Sequence, residues 1–348
     1  MHMADSLISP SVGGTMLAVT AGIGAFSLKK ISDKIDLKKV PLMGVLGAFI
    51  FAAQMINFSI PGTGSSGHLG GGLLLAALLG PYAGFITMAA ILLIQALFFA
   101  DGGLLALGCN IFNLGFYTCF IAYPFIFKPL LSNKVTPAKI LLASLLSAIA
   151  GLQLGAFSVV LETMLSGKTD IPFGIFVLLM QPVHLAIGFV EGLISFSVLS
   201  FVWKVQPELI DINLEKKELS VSPARKIIIA FIIAAILTGG ILSWFASTHP
   251  DGLEWSLFKV TGKEELETKG KIYQKIKNFQ EKTAFLPDYS LKSKEEKSEP
   301  LNEKPLWPQI DKGTTISGIV GSILVFFLAI ITGFIIFLVK KINKRKTY

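Results

Sequence analysis

HLGGGLLLAALLGPYAGFITMAAILLIQALFFA, residues 68–100, carries no Lys, Arg, Asp or Glu. A helix needs about 20 apolar residues to cross the hydrocarbon core of a bilayer. Gly80-Pro81 divides the stretch, because proline stops a helix. Ala83–Ala100 is then long enough to cross, whereas Leu69–Leu79 is too short to do so unaided. The shorter piece is expected as a half-helix sunk in protein, since irregular backbone at membrane depth persists only where protein or a polar cavity satisfies it.

The same ruler divides the rest of the chain. Further spans are expected at 12–28, 40–58, 111–127, 139–162, 173–203, 227–245 and 316–339, nine in all with the short one. Apolar residues make up 52% of the chain, charged residues 16%, and mean hydropathy is +0.66, values that exclude an ordinary soluble domain. The reading is an all-α, polytopic membrane protein. A net charge of +8 raises the question of nucleic acid, but the lysines stand in short runs between apolar segments and set orientation in a bilayer, so no nucleic-acid partner is implied. Cys109 and Cys119 both lie in or beside apolar stretches and support neither a disulfide framework nor a zinc site.

Counting nine spans places the basic loops at Lys29–Lys39, Lys128–Lys139, Arg225-Lys226 and the terminal KKINKRK on one face, expected to be cytoplasmic. The N-terminus, the loop 59–68, the loop 101–110 and the segment 246–313 then lie outside, in the plasma membrane of a multi-pass protein whose C-terminus is cytoplasmic. No Lys or Arg precedes the first span, unlike a signal peptide, so the N-terminus is expected to be kept with a free amine. Residues 1–205 form a seven-span unit, 206–226 a polar cytoplasmic linker, and 227–348 a two-span unit around an extracytoplasmic segment rich in Lys and Glu. No convincing internal repeat is present.

SIPGTGSSGHLGGG, residues 59–72, contains a GxGxxG at Gly62, Gly64 and Gly67, with His68 where a phosphate loop needs Lys. Both nucleotide readings fail on context, since the loop joins two membrane spans rather than opening a βαβ unit. It is either a flexible glycine loop or a backbone pliable enough to bring His68 to something. The opening MHMADSLISP supplies a counterpart. The amine of Met1 and the amide nitrogen of His2 close a five-membered ring on a metal, and the same amide with His2 Nδ1 closes a six-membered one. An imidazole from His68 completes a planar set of four nitrogens, suited to Ni(II) or Cu(II) and unsuited to tetrahedral zinc. Such binding requires deprotonation and weakens as pH falls. A surface or tag-like histidine is the plain alternative for His2.

Other polar groups in the spans need partners, because ionisable residues in a membrane are costly. Gln181, His184, Gly188 and Glu191 share one helix face and suggest either a second metal site or, preferably, interhelical hydrogen bonding. Gln95, Asp101, Asn110 and Asn113 are expected to support the His68 loop and the N-terminus. Ala18, Ala21, Gly22 and Ala25 offer a small-residue face for close helix packing, internal or against a partner. His249 reads as a solvated loop histidine rather than a metal relay.

MHMADSLISP, SSGHLGGG, QALFFADGGLLALGCNIFNLG and QPVHLAIGFVEGLIS, in that order, resemble the CbiM/NikM family, the substrate-binding membrane component of energy-coupling-factor nickel and cobalt transporters. The resemblance covers about residues 1–205. Pro250–Glu254 is similar to the PDGLE signature of the partner small subunit, here fused, and Leu286–Ser290 to a later motif of that module. The family implies metal held by the Met1 amine, the His2 amide and imidazole, and the His68 imidazole. It also implies a transmembrane coupling subunit and two ATPase subunits as partners. Met3 departs from the aliphatic residue more usual there; its thioether could sit near the metal, but packing is its expected role. The expected function is capture of Ni2+ or Co2+ as transported ligand, with no cofactor and no enzyme activity in this chain; nothing like HExxH is present. The runner-up is an ATP-independent divalent-metal channel or secondary transporter.

Overall fold

The computed structural model describes residues 2–34, 40–168, 171–210, 221–263, 266, 270–291, 308 and 310–346. Met1, most of the linker at 211–220, and 292–307 within the polar segment lie outside the described residues. Helices occupy all nine expected spans: α1 (Pro10–Lys34), α2 (Val40–Gln54), α3 (Gly72–Leu79), α4 (Pro81–Phe99), α5 (Leu107–Leu131), α6 (Pro137–Ser166), α7 (Phe173–Val205), α8 (Val221–Gly240) and, after two short helices, α11 (Lys312–Lys346). Among the described residues, α1, α4, α5, α6, α7 and α11 are each long and apolar enough to cross a membrane.

The half-helix α3 buries every one of its residues, as a segment too short to span has to. Gly80 ends it at φ 85°, a conformation open to glycine, and Pro81 starts α4 at once. In the seven-span unit, α6 packs along α7 and against α5, while α3 is enclosed by α4 and α5. Helices α8 and α11 cross at a glycine pair, where a Cβ added to Gly318 would meet Gly239 O at 2.4 Å. Both then lie against α2, where Ser322 Oγ donates to Ala48 O at 3.1 Å.

The glycine-rich loop is more ordered than its composition suggests. Strands β1 (Phe58–Ile60) and β2 (Ser65–Gly67) form an antiparallel hairpin, pairing Phe58 with Gly67 and Ile60 with Ser65. The GxGxxG therefore straddles a hairpin turn, and the all-α architecture carries this one small sheet among its described residues. A segment from the polar region adds along its edge: Ser66 N donates to Pro250 O at 2.8 Å and Ser247 N to Asn57 O at 2.7 Å.

That polar region holds α9 (Gly252–Thr261) and α10 (Lys271–Thr283). Its PDGLE motif is a capping box. Asp251 Oδ1 accepts from the backbone N–H groups of Leu253 and Glu254, and Glu254 Oε2 accepts from Asp251 N.

Candidate metal centre

The N-terminal segment runs extended into a groove at the end of the bundle where the hairpin lies. Asn110 holds it by both sides of one residue, accepting from Met3 N at 2.8 Å and donating to Met3 O at 3.2 Å. Asp5 Oδ1 takes the backbone N–H groups of Leu105 and Ala106 at 2.8 and 3.0 Å. Burial raises the Asp5 pKa, an effect that these hydrogen bonds oppose. Met3 is fully buried, with its sulfur 3.8 Å from Asn113 Nδ2, which is the packing role expected of it.

His2 and His68, 66 residues apart, are brought together: His2 Nδ1 stands 3.2 Å from His68 Nε2. The other nitrogen of each ring faces a carbonyl oxygen, His2 Nε2 reaching Gln95 Oε1 at 3.1 Å and His68 Nδ1 reaching Leu69 O at 3.1 Å. A carbonyl only accepts, so each of those nitrogens carries the proton. When both rings are neutral, the two remaining lone pairs point at one another. Burial pushes the His68 pKa down to about 3, which keeps that ring neutral. Neighbouring nitrogens on one metal, with bonds of about 2.0–2.1 Å at a right angle, stand about 2.9 Å apart. Closing a 3.2 Å gap to that distance needs only a small movement.

The tautomers are fixed from behind. Gln95 opens a wide π-helical turn at the end of α4, and Ala100 closes it in a left-handed conformation at φ 55°. Gln95 Nε2 donates to Gln54 Oε1 at 2.9 Å, and Gln54 Nε2 donates to Gly70 O at 2.8 Å. The chain of amides thus leads from His2 back to the loop that carries His68. Glu191, fully buried, clamps the same loop by accepting from Gly70 N at 2.8 Å and Gly71 N at 3.0 Å.

Of the expected supports, Gln95 and Asn110 reach the site. Asp101 lies at its rim, its Oδ1 3.7 Å from His2 Nδ1. Asn113 touches the N-terminal segment through the Met3 sulfur and donates to Glu162 Oε2 at 2.7 Å. The α7 face divides in the same way. Gln181 exchanges hydrogen bonds with Gln153 across to α6, as expected, but Glu191 serves the loop and His184 Nδ1 donates to Met180 O of its own helix. His249 is exposed. Sequence reasoning missed Gln54 and Asp5. For Gln54 the available signal was an amide at the end of an otherwise apolar span, and for Asp5 an acid beside the proposed ligands.

The polar module closes over this end. Gln280 Nε2 donates to Ala96 O and Gly102 O, both at 2.9 Å, and Tyr273 OH donates to Ile8 O at 2.8 Å. Tyr289, of the second expected motif, donates its hydroxyl to Asp101 Oδ2 and stacks on Phe99 at 5.1 Å between ring centres.

The family described as the cobalt uptake substrate-specific transmembrane region, CbiM, matches residues 2–209, and the PDGLE domain matches residues 225–338. The chain belongs to the CbiM family. A putative fused nickel transport protein NikMN of Archaeoglobus fulgidus is 31% identical to it over 334 residues, covering 94% of this chain and 96% of its own length. A probable fused nickel transport protein LarMN of Lactiplantibacillus plantarum is 32% identical over 221 residues, 60% of this chain and 66% of its own. A crystal structure of a transition metal transporter, 32% identical, superposes with a TM-score of 0.53 over 62% of this chain and 97% of that one. The CbiM region thus contains His2, His68, Gln95 and Glu191, whereas Gln280 and Tyr289 belong to the PDGLE region.

Proposed function

We propose that this CbiM-family membrane protein captures Ni2+ or Co2+ on the outer face of the plasma membrane and delivers it inward. The metal would be held by the Met1 amine, the His2 amide and Nδ1, and His68 Nε2. The observation that carries the reading is the 3.2 Å approach of His2 Nδ1 and His68 Nε2, each ring held by a carbonyl on its far side. A metal would take the place of any proton shared by the two nitrogens and bind both through their lone pairs.

In this reading residues 1–205 are the binding unit, 206–226 a cytoplasmic linker, and 227–348 a two-span unit whose outer part covers the site. The chain acts as the substrate-binding component of an energy-coupling-factor transporter, with a transmembrane coupling subunit and two ATPase subunits that hydrolyse ATP. The exposed small-residue face of α1, with Ala18, Ala21, Gly22 and Ala25 all uncovered, supports such a partner, because close helix packing is what that face is suited for.

Calorimetric Ni2+ titration of the purified protein tests the cage. One extra residue before Met1, His2→Ala or His68→Ala should each abolish tight binding; unchanged affinity on extension of the N-terminus would remove the amine from the ligand set. Metal uptake into vesicles should require the coupling and ATPase subunits, and uptake by this chain alone would return the channel reading.

A further inference from the structure

Helix α10 lies across the ends of three spans. Tyr273 OH donates to Ile8 O at 2.8 Å, just ahead of α1, and Lys168 Nζ, just beyond α6, stands 4.9 Å from the centre of the Tyr273 ring. Gln280 Nε2 donates to Ala96 O and Gly102 O around the end of α4. These contacts set the helix at the level where the spans leave the hydrocarbon core, and they occupy only one side of it. On a helix of about 3.6 residues per turn, Ile272, Ile276 and Phe279 form the next stripe, and Lys271, Lys275 and Lys282 the stripe beyond that. Ile272 and Phe279 are 53% and 54% exposed, and all three lysines are exposed. Among the described residues none of the three makes an ion pair, whereas Lys277, further round the helix, meets Glu281 at 4.0 Å.

A groove of about 320 Å³ runs between this stripe and α1. Gly14, Leu17 and Leu105 line one wall, and Lys275, Ile276 and Phe279 the other. Because α1 is long and apolar enough to span and leaves most of its surface uncovered, the groove opens sideways onto the bilayer. Two adjacent glycines differ in what they do there. A Cβ on Gly13 would meet Leu105 O at 2.6 Å, so that glycine serves packing, whereas a Cβ on Gly14 meets nothing within 4 Å and leaves the space open. The volume lies near the lower end of the range for small-molecule sites, about 300–1,000 Å³. The walls suit hydrocarbon, but Lys275 lines the groove itself, and an ammonium drawn out of water needs an anion. An acyl chain beneath a negatively charged head meets both demands.

We propose that α10 is an interfacial helix and that its groove with α1 holds one anionic phospholipid of the leaflet on the module's side. An acyl chain lies between Gly14 and Phe279, and the phosphate is held by Lys275, with Lys271 and Lys282 beside it. The lysine stems run along the apolar stripe while their heads reach the phosphate level. The lipid braces the module, because the same helix carries the Gln280 contacts to Ala96 and Gly102. Nothing in this site depends on the metal cage.

Native mass spectrometry tests the site on the full-length protein, released from nanodiscs of equal parts phosphatidylcholine and phosphatidylglycerol. One phosphatidylglycerol should stay with each chain in preference to phosphatidylcholine. Lys275→Gln should lower that preference about fivefold, the worth of one lysine at an anionic surface, and replacing Lys271, Lys275 and Lys282 together by Gln should abolish it. Gly14→Leu fills the groove from α1 and should remove the retained lipid. Its melting temperature should not fall, because nothing opposes the new Cβ and leucine favours a helix over glycine. Should it melt lower, the exposed lysine variants decide alone. Backbone amides of α10 should exchange more slowly in the mixed discs than in phosphatidylcholine alone, a difference that the triple variant loses. Equal retention of the two lipids, or a phosphatidylglycerol preference unchanged in Lys275→Gln or in Gly14→Leu, overturns the site. So does a dimer mass lost in Gly14→Leu, which would put a second copy of the chain in the groove.

Discussion

Glu191 Oε2 accepts a 2.8 Å hydrogen bond from the backbone N–H of Gly70, two residues beyond His68, while its Oε1 accepts from Gly71 at 3.0 Å. A carboxylate on a membrane-spanning helix thereby holds a loop that has no side chains of its own to anchor it, being glycine at 70, 71 and 72. Gly71 adopts φ +78°, and a Cβ there would come within 2.5 Å of Ile50 Cγ2, so close approach and left-handed backbone both require glycine. The imidazole of His68 is positioned through these two amides.

Replacing Glu191 should therefore reach the metal without touching it. Glu191→Leu strands two buried N–H groups at about 1–3 kcal/mol each and should lower the melting temperature. Ni2+ affinity should fall about 10- to 100-fold, with Glu191→Gln intermediate because its amide oxygen still accepts one bond. Native affinity in Glu191→Leu would show that the loop is held by something else.

Gln95 acts on His2, the proposed ligand, more directly. Its Oε1 is the acceptor that keeps the His2 proton on Nε2, and it is itself oriented by Gln54. Gln95→Leu should lower Ni2+ affinity about 10- to 100-fold, the usual cost of losing a partner behind a ligating histidine. Gln54→Leu, one link further away, should cost less. Equal losses in the two variants, measured by calorimetry, would mean that the amide chain acts as packing and not through tautomer control.

The spans were legible because each had to satisfy one physical length, and the half-helix because Gly80-Pro81 breaks a run too short to cross. The pairing of His2 with His68 was legible from chelate chemistry, since two residues at a free N-terminus offer three nitrogens and lack a fourth. The hairpin at 58–67 was not, because a Gly- and Ser-rich stretch shows no alternation of apolar and polar residues for a strand reading to use. Glu191 was misassigned for a related reason. A lone carboxylate in an apolar helix asks for a partner, yet nothing in the pattern says that the partner is backbone from a distant loop. Asp251 and Glu254 did carry a readable signal, an acid followed three residues later by Glu ahead of apolar residues, which is the capping-box spacing.

Seating of the module on α7 depends on one missing side chain. In Gly252→Ala the new methyl would lie 2.7 Å from Val183 Cγ1 and 3.2 Å from His184 Cε1, and neither residue stands at the end of a flexible side chain. Overpacking of this kind costs about 1–3 kcal/mol. Trypsin should then cut faster at the lysines of α10, while Gly240→Ala, where nothing lies within 4 Å, should leave digestion unchanged. Equal protection in the two proteins would show that α9 tolerates displacement from α7.

The module is latched at a second point, beside His2. Tyr289 donates to the Asp101 oxygen Oδ2, and the other oxygen of that carboxylate stands 3.7 Å from His2 Nδ1, so the latch and the proposed ligand share one side chain. Gln280 fastens the same turn through the Ala96 and Gly102 carbonyls. In the proposed reading metal reaches the cage beneath this cover, so loosening it should change rates more than affinity. Tyr289→Phe keeps the stack on Phe99 and removes only the hydroxyl, worth about 1.5–3 kcal/mol when the acceptor is charged. Both loading and release of Ni2+ should accelerate, by about tenfold, with equilibrium affinity altered far less because the two rates move together. Gln280→Ala should add to the effect, since it frees the turn at the other contact. Stopped-flow loading and chelator-driven release measure the two rates separately. If release quickens while loading stays constant, Tyr289 contributes to holding the metal rather than to covering it, and the latch reading is wrong.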